Sequence, residues 1–411
     1  MTAPFLRPDA PAHGGSVVAR DEGGGAVFVS YALPGELVEA IPTGHRKGVS
    51  FARAGQVVEP SDHRVEPKCD YFGACGGCQW QHAVYPYQLE LKRRVVEDAW
   101  SRAGLRLPPD TPVLGMENPW RYRIRGEFEA VYPQGDGDFG FGFHRMRSYS
   151  SIAVESCPIH DLRIEKAMLA FRKVVRECGV NNLQSLSLTA EPTGNGLLWN
   201  LRFKENRGVL PEGFADRVAA LLPDFVLLDD SMELEFWGLH FRVRGSTFVQ
   251  TNYQQMLVLY QTALDMLQAG ERDSVLDLYS GIGTISLAVA RGAERVTAIE
   301  ENPASVQLAI LNARINSTKN VSFLKGKVED SLKTIKLGSH QAAILDPARA
   351  GCEPAAIGEL LRLGMGRLVY VSCDPVTHAR DIAMLVMGGY RVRRAALVDM
   401  FPHTYHVESV A

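Results

Sequence analysis

The 411-residue chain lacks a basic excess: 44 Lys and Arg face 47 Asp and Glu, for a formal net charge of −3. Bulk attraction to nucleic acid is thereby excluded, and any nucleic-acid surface must be a local patch. No run of 18 uncharged apolar residues occurs, so no membrane association is expected. The opening residues, rich in Pro, Ala and Gly, lack the apolar stretch of a secretory signal, which predicts a cytoplasmic protein. Internal repeats and low-complexity tracts are absent. Seven cysteines, an odd number, argue against a disulfide framework in a chain of this size. At 46% hydrophobic and 22% charged residues the composition excludes wholesale disorder, and the length suits two or three domains.

What is present falls into blocks. Residues 1–15 read as a flexible arm. From Ser16 to about Pro60, short apolar runs are cut by the turns Asp21–Gly25 and Leu33–Gly35, the pattern of a small antiparallel barrel with a thin core. Tyr87–Trp100 reads as a helix with Leu89, Val96 and Trp100 on one stripe. Residues 118–245 mix strands and helices as an α+β region. From Thr247 onward strand-like runs ending at Tyr279, Glu300, Asp346 and Cys373 alternate with helical segments. This rhythm predicts an α/β, doubly wound, Rossmann-like sheet whose ligands sit beyond the carboxyl ends of the strands.

Those strand ends carry chemistry. Asp277-Leu-Tyr-Ser-Gly-Ile-Gly283 runs from an apolar strand into Gly281 and Gly283, which permit a tight turn and close approach of a ligand. The strict dinucleotide fingerprint would place a third glycine where Ser286 stands. Glu300, ending the next strand, is in register to accept ribose hydroxyls; the plain alternative is a turn with a surface acid. Cys373 tips a buried strand stopped by Pro375, where it reads as a nucleophile needing activation or as a structural thiol. His403, His406 and Glu408 share a Pro-interrupted segment, and Asp346 and Arg349 stand on the same sheet edge.

Elsewhere, Cys69, Cys75 and Cys78 lie within ten residues, with Cys157 available as a fourth sulfur. Three or four thiolates suit zinc or iron–sulfur, and a single Cys-x2-Cys pair leans toward the latter. In Trp120-Arg-Tyr-Arg-Ile-Arg125, strand alternation would put Arg121, Arg123 and Arg125 on one face as a phosphate-binding stripe, or as a solvated face paired with Glu127 and Glu129.

Phe248-Val-Gln-Thr-Asn252, Asp277–Gly283, Asp346-Pro-Ala-Arg349, Ser372-Cys-Asp-Pro375 and Asp399-Met-Phe-Pro-His-Thr-Tyr-His-Val-Glu408 occur in this order. They resemble the S-adenosylmethionine-dependent RNA (uracil-5)-methyltransferases over nearly the whole chain. The four cysteines resemble the [4Fe-4S] site of members acting on 23S rRNA, and the barrel resembles their TRAM domain. The resemblance implies S-adenosylmethionine binding by Gln250, Tyr279, Gly281, Gly283, Glu300 and Asp346. It implies Cys373 as nucleophile, Glu408 as proton acceptor and cluster ligation by Cys69, Cys75, Cys78 and Cys157. RNA contacts are expected at Phe248 and Arg349, with Arg349 or the histidines holding the uracil oxygens or a phosphate.

The domain plan expected is a barrel over 1–60 and a central iron–sulfur and RNA-binding domain over 61–81 and 113–246. The methyltransferase domain covers 82–112 and 247–411, and the whole acts as a monomer. Asp374 departs from the asparagine often found after the nucleophile, and a carboxylate there would raise the thiol pKa unless it points away. A transfer-RNA T-loop uracil is the alternative substrate, and a non-catalytic iron–sulfur or zinc RNA-binding protein the alternative class. A radical S-adenosylmethionine enzyme is disfavoured because its usual Cys-x3-Cys-x2-Cys spacing is absent.

Overall fold

The computed structural model describes residues 3–132, 138–245, 247 and 249–411. The N-terminal part is a six-stranded sheet in the order Phe5–Leu6, Leu37–Arg46, Val49–Glu59, Ala26–Ser30, Val17–Arg20, Ala10–Pro11. Its longest strands are joined at Lys47 and Gly48, both at positive φ, as a tight hairpin turn of matching twist requires. Val17, Ala19, Val27, Val29, Val38, Ala40 and Ala52 point inward, a thin core of small side chains. Residues 3–15 are not the flexible arm expected. Leu6 is buried in that core and Ala10–Pro11 pairs with Val17–Val18, so burial and backbone pairing fix the segment.

The middle of the chain forms a second six-stranded sheet: Ser151–Ala153, Gly140–His144, Arg125–Val131, Leu183–Ala190, Gly196–Phe203 and Val226–Leu228. Helices Leu162–Glu177 and Phe214–Ala220 pack on it around Phe128, Phe141, Phe171 and Phe214. The expected alternating strand from Trp120 starts only at Arg125, because Arg121 takes a φ of 57° and breaks the pleat.

The C-terminal sheet has eight strands in the order Val321–Lys325, Arg295–Glu300, Ser274–Leu278, Ala342–Leu345, Arg367–Ser372, Glu408–Val410, Ala396–Val398, Val113–Leu114. The first five are parallel, as the alternating strand–helix text predicts, and Glu408–Val410 runs antiparallel to both its neighbours. Two boundaries differ from expectation. Val113–Leu114 belongs to this sheet. The hairpin Ser231–Phe236 and Leu239–Arg244 also packs here, because Met232, Leu234, Phe236, Phe241 and Val243 alternate into the core that holds Met256, Leu259 and Val275. Among the described residues no helix is long and apolar enough to cross a membrane.

Candidate active site

The ladder between Arg367–Ser372 and Glu408–Val410 pairs Val371 with Val410 and Ser372 with Ser409. Cys373 follows the last paired residue and Glu408 precedes Ser409, which brings the thiol within electrostatic reach of the Glu408 carboxyl. Glu408 is 4% exposed and Cys373 half-buried. Burial pushes the Cys373 thiol up to about 12; Glu408 and Asp346 push the same way and Arg349 opposes them. Burial likewise raises Glu408 to about 8, with Asp346 adding and Arg349 subtracting. Asp346, one strand over, is raised to about 7 by burial alone. A half-buried thiol and two carboxyls thus stand together, with one exposed guanidinium beside them.

Asp374 does point away from the thiol. Its Oδ1 accepts from Val376 N at 2.9 Å and Thr377 N at 3.2 Å, capping helix Pro375–Met387. A carboxylate at that end complements the helix dipole.

The segment leading to Glu408 is held by helix Tyr85–Arg102. Lys92, fully buried, pairs with buried Asp399 and donates to Phe401 O at 3.0 Å. Tyr85 donates its hydroxyl to the other Asp399 oxygen at 2.7 Å, and His403 N donates to Gln88 Oε1 at 2.8 Å. Asn252 Nδ2 donates to Met400 O at 3.0 Å, tying the Phe248–Asn252 motif to the same segment. His403 stacks on Trp120 with centroids 3.7 Å apart and its Nε2 lies 3.1 Å from Pro119 O. Burial and Lys92 lower its pKa to about 3, so it is a neutral fixture rather than a proton carrier. Lys92 and Asp399 were missed in the sequence. The available signal was a lysine within the apolar stripe Leu91–Val95–Val96.

At the end of Ser274–Leu278 the chain turns through Tyr279, Gly281 and Gly283, all at positive φ. A Cβ on Gly281 would meet nothing within 4 Å, leaving an open approach to the backbone. Ser286, in place of a third glycine, is buried and donates to Asp277, locking turn to strand. Glu300 accepts from Gly281 N at 3.0 Å and Asn302 N at 2.7 Å. Each of its oxygens keeps a further lone pair for a ligand hydroxyl. Ser280 Oγ is buried with no partner, as a site for a polar ligand requires, and Gln250 is buried beyond the previous hairpin. Tyr279 is half-buried against the Cys352 thiol. These groups fit a nucleoside with a ribose.

Cys69, Cys75, Cys78 and Cys157 line one cavity of about 440 Å³ together with Gly76, Gly77 and Arg123. Gly77 N lies 3.4 Å from Cys75 Sγ, and burial raises all four thiols, Cys157 to about 12. Among the described residues no three His, Cys, Asp or Glu side chains meet at a point suited to one ion; these thiols surround a space instead.

The expected arginine stripe is not built. Arg121 is spent on Glu165 at 2.8 Å and on the carbonyls of Cys157 and His160. Arg123 faces the cysteine cavity, and Arg125 pairs with Glu127 at 2.6 Å. The positive φ at Arg121 is the physical reason, since it rotates that side chain out of the alternation. Phe248 lies outside the described residues. Arg349 stands at the mouth beside His406, Nη2 to Nδ1 3.5 Å.

A family model described as tRNA (uracil-5-)-methyltransferase matches residues 221–411. An uncharacterized RNA methyltransferase of Gloeobacter violaceus is 34% identical over 432 residues, covering 97% of this chain and 94% of the relative. One from Halalkalibacterium halodurans is 32% identical over 442 residues with the same coverage. The structure of the Pyrococcus abyssi tRNA (uracil-54, C5)-methyltransferase in complex with S-adenosyl-L-homocysteine superposes with a TM-score of 0.77. It covers 99% of both chains at 23% identity, a likeness of fold. With relatives of this identity along almost its full length, the chain belongs to the S-adenosylmethionine-dependent RNA uracil-5 methyltransferases.

Proposed function

We propose that this enzyme methylates C5 of a specific uridine in 23S rRNA through a covalent adduct between Cys373 and C6 of the base. The observation that carries this reading is the gathering of Cys373, Glu408, Asp346 and Arg349 at one strand edge, close enough for each charge to act on the thiol. Uracil C5 is a weak nucleophile. The Cys373 thiol loses its proton to solvent, and bonding of the thiolate sulfur to C6 turns the C5–C4–O4 system into an enolate and makes C5 electron-rich. Bound S-adenosylmethionine supplies an electrophilic methyl group at that carbon. Glu408 then takes the C5 proton, the S–C6 bond breaks, and the electron pair returns to sulfur. A carboxyl raised to about 8 exchanges protons near neutral pH. Arg349 opposes the build-up of negative charge at both groups. The uridine must leave its stack to expose C5 and C6 to this cleft.

Gln250, Tyr279, Gly281, Gly283, Glu300 and Asp346 hold the methyl donor in this reading, Glu300 through the ribose. Cys69, Cys75, Cys78 and Cys157 hold a [4Fe-4S] cluster. Four thiols around a cavity, a backbone N–H aimed at Cys75 Sγ and the nearby Arg123 suit an anionic cluster better than a single zinc, which needs four sulfurs about 2.3 Å from one point. The cluster is structural, tying the 69–78 and 157 segments together, and the N-terminal sheet acts as a TRAM domain. The protein works as a cytoplasmic monomer.

The second reading, a transfer-RNA uridine, is favoured by the description of the family model matched over 221–411. Incubation with methyl-labelled donor and unmodified 23S rRNA or transfer RNA, followed by mapping of 5-methyluridine, separates the two. Label at one or two rRNA uridines is expected. Label in transfer RNA alone replaces the substrate, and label in neither removes the reading.

A further inference from the structure

The N-terminal segment reaches the mouth of the Cys373 site. His13 Nε2 lies 3.5 Å from Asp374 Oδ2, on the residue after the nucleophile. The same imidazole stands edge-on to Tyr405, centroids 5.4 Å apart at 73°. Tyr405 lies over His406 at 4.0 Å, and His406 faces Arg349. The docking is anchored at Gly15. Its carbonyl accepts from Trp80 Nε1 at 3.0 Å, and a Cβ there would meet Gln79 Cβ at 2.7 Å and Tyr405 Cδ1 at 3.3 Å. Arg349 is exposed, and its one side-chain hydrogen bond among the described residues goes to His406. Burial and Arg349 keep His406 neutral, so it serves as an aromatic floor under Tyr405.

We infer that His13, Tyr405 and Arg349 form a shelf for the nucleotide adjoining the target uridine, the base stacking on Tyr405 and the phosphate meeting Arg349. An aromatic face beside an exposed cation is how proteins grip single-stranded nucleic acid. A uridine drawn into the cleft leaves its neighbour unstacked at this point of the rim. The Asp374 charge, which would repel a phosphate, is turned onto its helix and toward His13. The inference rests on the uracil-methylation reading and adds a contact that includes the N-terminal sheet.

The test uses the full chain with two probes, a short oligouridylate and uridine 5′-monophosphate, read by competition binding. Tyr405→Ala should weaken the oligouridylate by about five- to 150-fold, the range of one lost base stack, while Tyr405→Phe retains binding. His13→Ala should give a smaller loss in the same direction. The mononucleotide, having no neighbour, should bind all variants alike. Unchanged oligouridylate affinity in Tyr405→Ala, or an equal loss for the mononucleotide, overturns the shelf. Donor binding checks folding; if Tyr405→Ala loses it, unchanged oligouridylate affinity in His13→Ala overturns the shelf instead. A 5-fluorouridine oligonucleotide separates the two ideas, because fluorine cannot leave as a proton and the adduct persists. Absence of adduct in the unmodified enzyme sinks the uracil reading, whereas an adduct with undiminished Tyr405→Ala binding sinks the shelf alone.

Discussion

Two groups of half-buried thiols stand in different electrostatic surroundings. Cys373 faces Glu408 and Asp346, with the Arg349 guanidinium opposing them. Cys69, Cys75, Cys78 and Cys157 instead face one another, with Arg123, Arg145 and Arg147 lining the same cavity. Burial raises the thiol pKa in both. Acids beside a thiol supply partners for moving protons, whereas cations and backbone N–H groups beside four thiols suit a negatively charged cluster. In the proposed reading the neighbours, rather than the sulfur, divide chemistry from scaffolding.

The sharpest way to break this contrast is to exchange the losses. Cys373→Ala should lower methyl transfer by about 10⁴-fold or more, with donor binding and iron content intact. Cys78→Ala should lose iron, measured by metal analysis, while Cys373 still reacts with RNA. Iron retained in Cys78→Ala would erase the distinction. Glu408→Gln should cost about 10²- to 10⁴-fold in turnover. The pH–rate profile of the unmodified enzyme should bend near pH 8, where Glu408 ionises, and the variant should lack that inflection.

Next comes the support beneath the acidic site. Lys92→Met leaves Asp399 buried without its partner and should cost about 3–5 kcal/mol in urea unfolding. A loss below about 1 kcal/mol would mean the pair does not hold the segment.

The smallest effect concerns pH and stability. Glu408 is raised in the folded state, so the unfolded chain ionises first as pH climbs. Its contribution is fully present below about pH 4.5 and is lost as pH rises through about 8. Glu408→Gln should therefore raise Tm at pH 8 by a few degrees and leave it unchanged near pH 4. The opposite sign would contradict the burial described.

Much of the acidic site was legible because its residues end strands of one sheet. Tyr279, Glu300, Asp346 and Cys373 follow apolar runs whose ends a doubly wound fold gathers on one edge. The Cys373–Glu408 proximity was not legible as geometry, since register is fixed by tertiary packing. The arginine stripe failed because local alternation said nothing of the positive φ at Arg121, which Glu165 and two carbonyls hold in place. The N-terminal segment looked mobile because it is rich in Pro, Ala and Gly, yet Leu6 and Gly15 each fill a site built by distant residues. Lys92 was hidden for the same reason: its partner stands some three hundred residues away.

The central claim, sulfur joined to a pyrimidine opposite a proton-accepting carboxyl, has one direct measurement. Glu408→Gln enzyme is incubated with donor and substrate RNA, digested with protease and nuclease, and read by peptide mass spectrometry. The account predicts a methylated uridine bonded to the peptide carrying Cys373. A linkage on another cysteine, or methylated RNA released without any linked peptide, would contradict it.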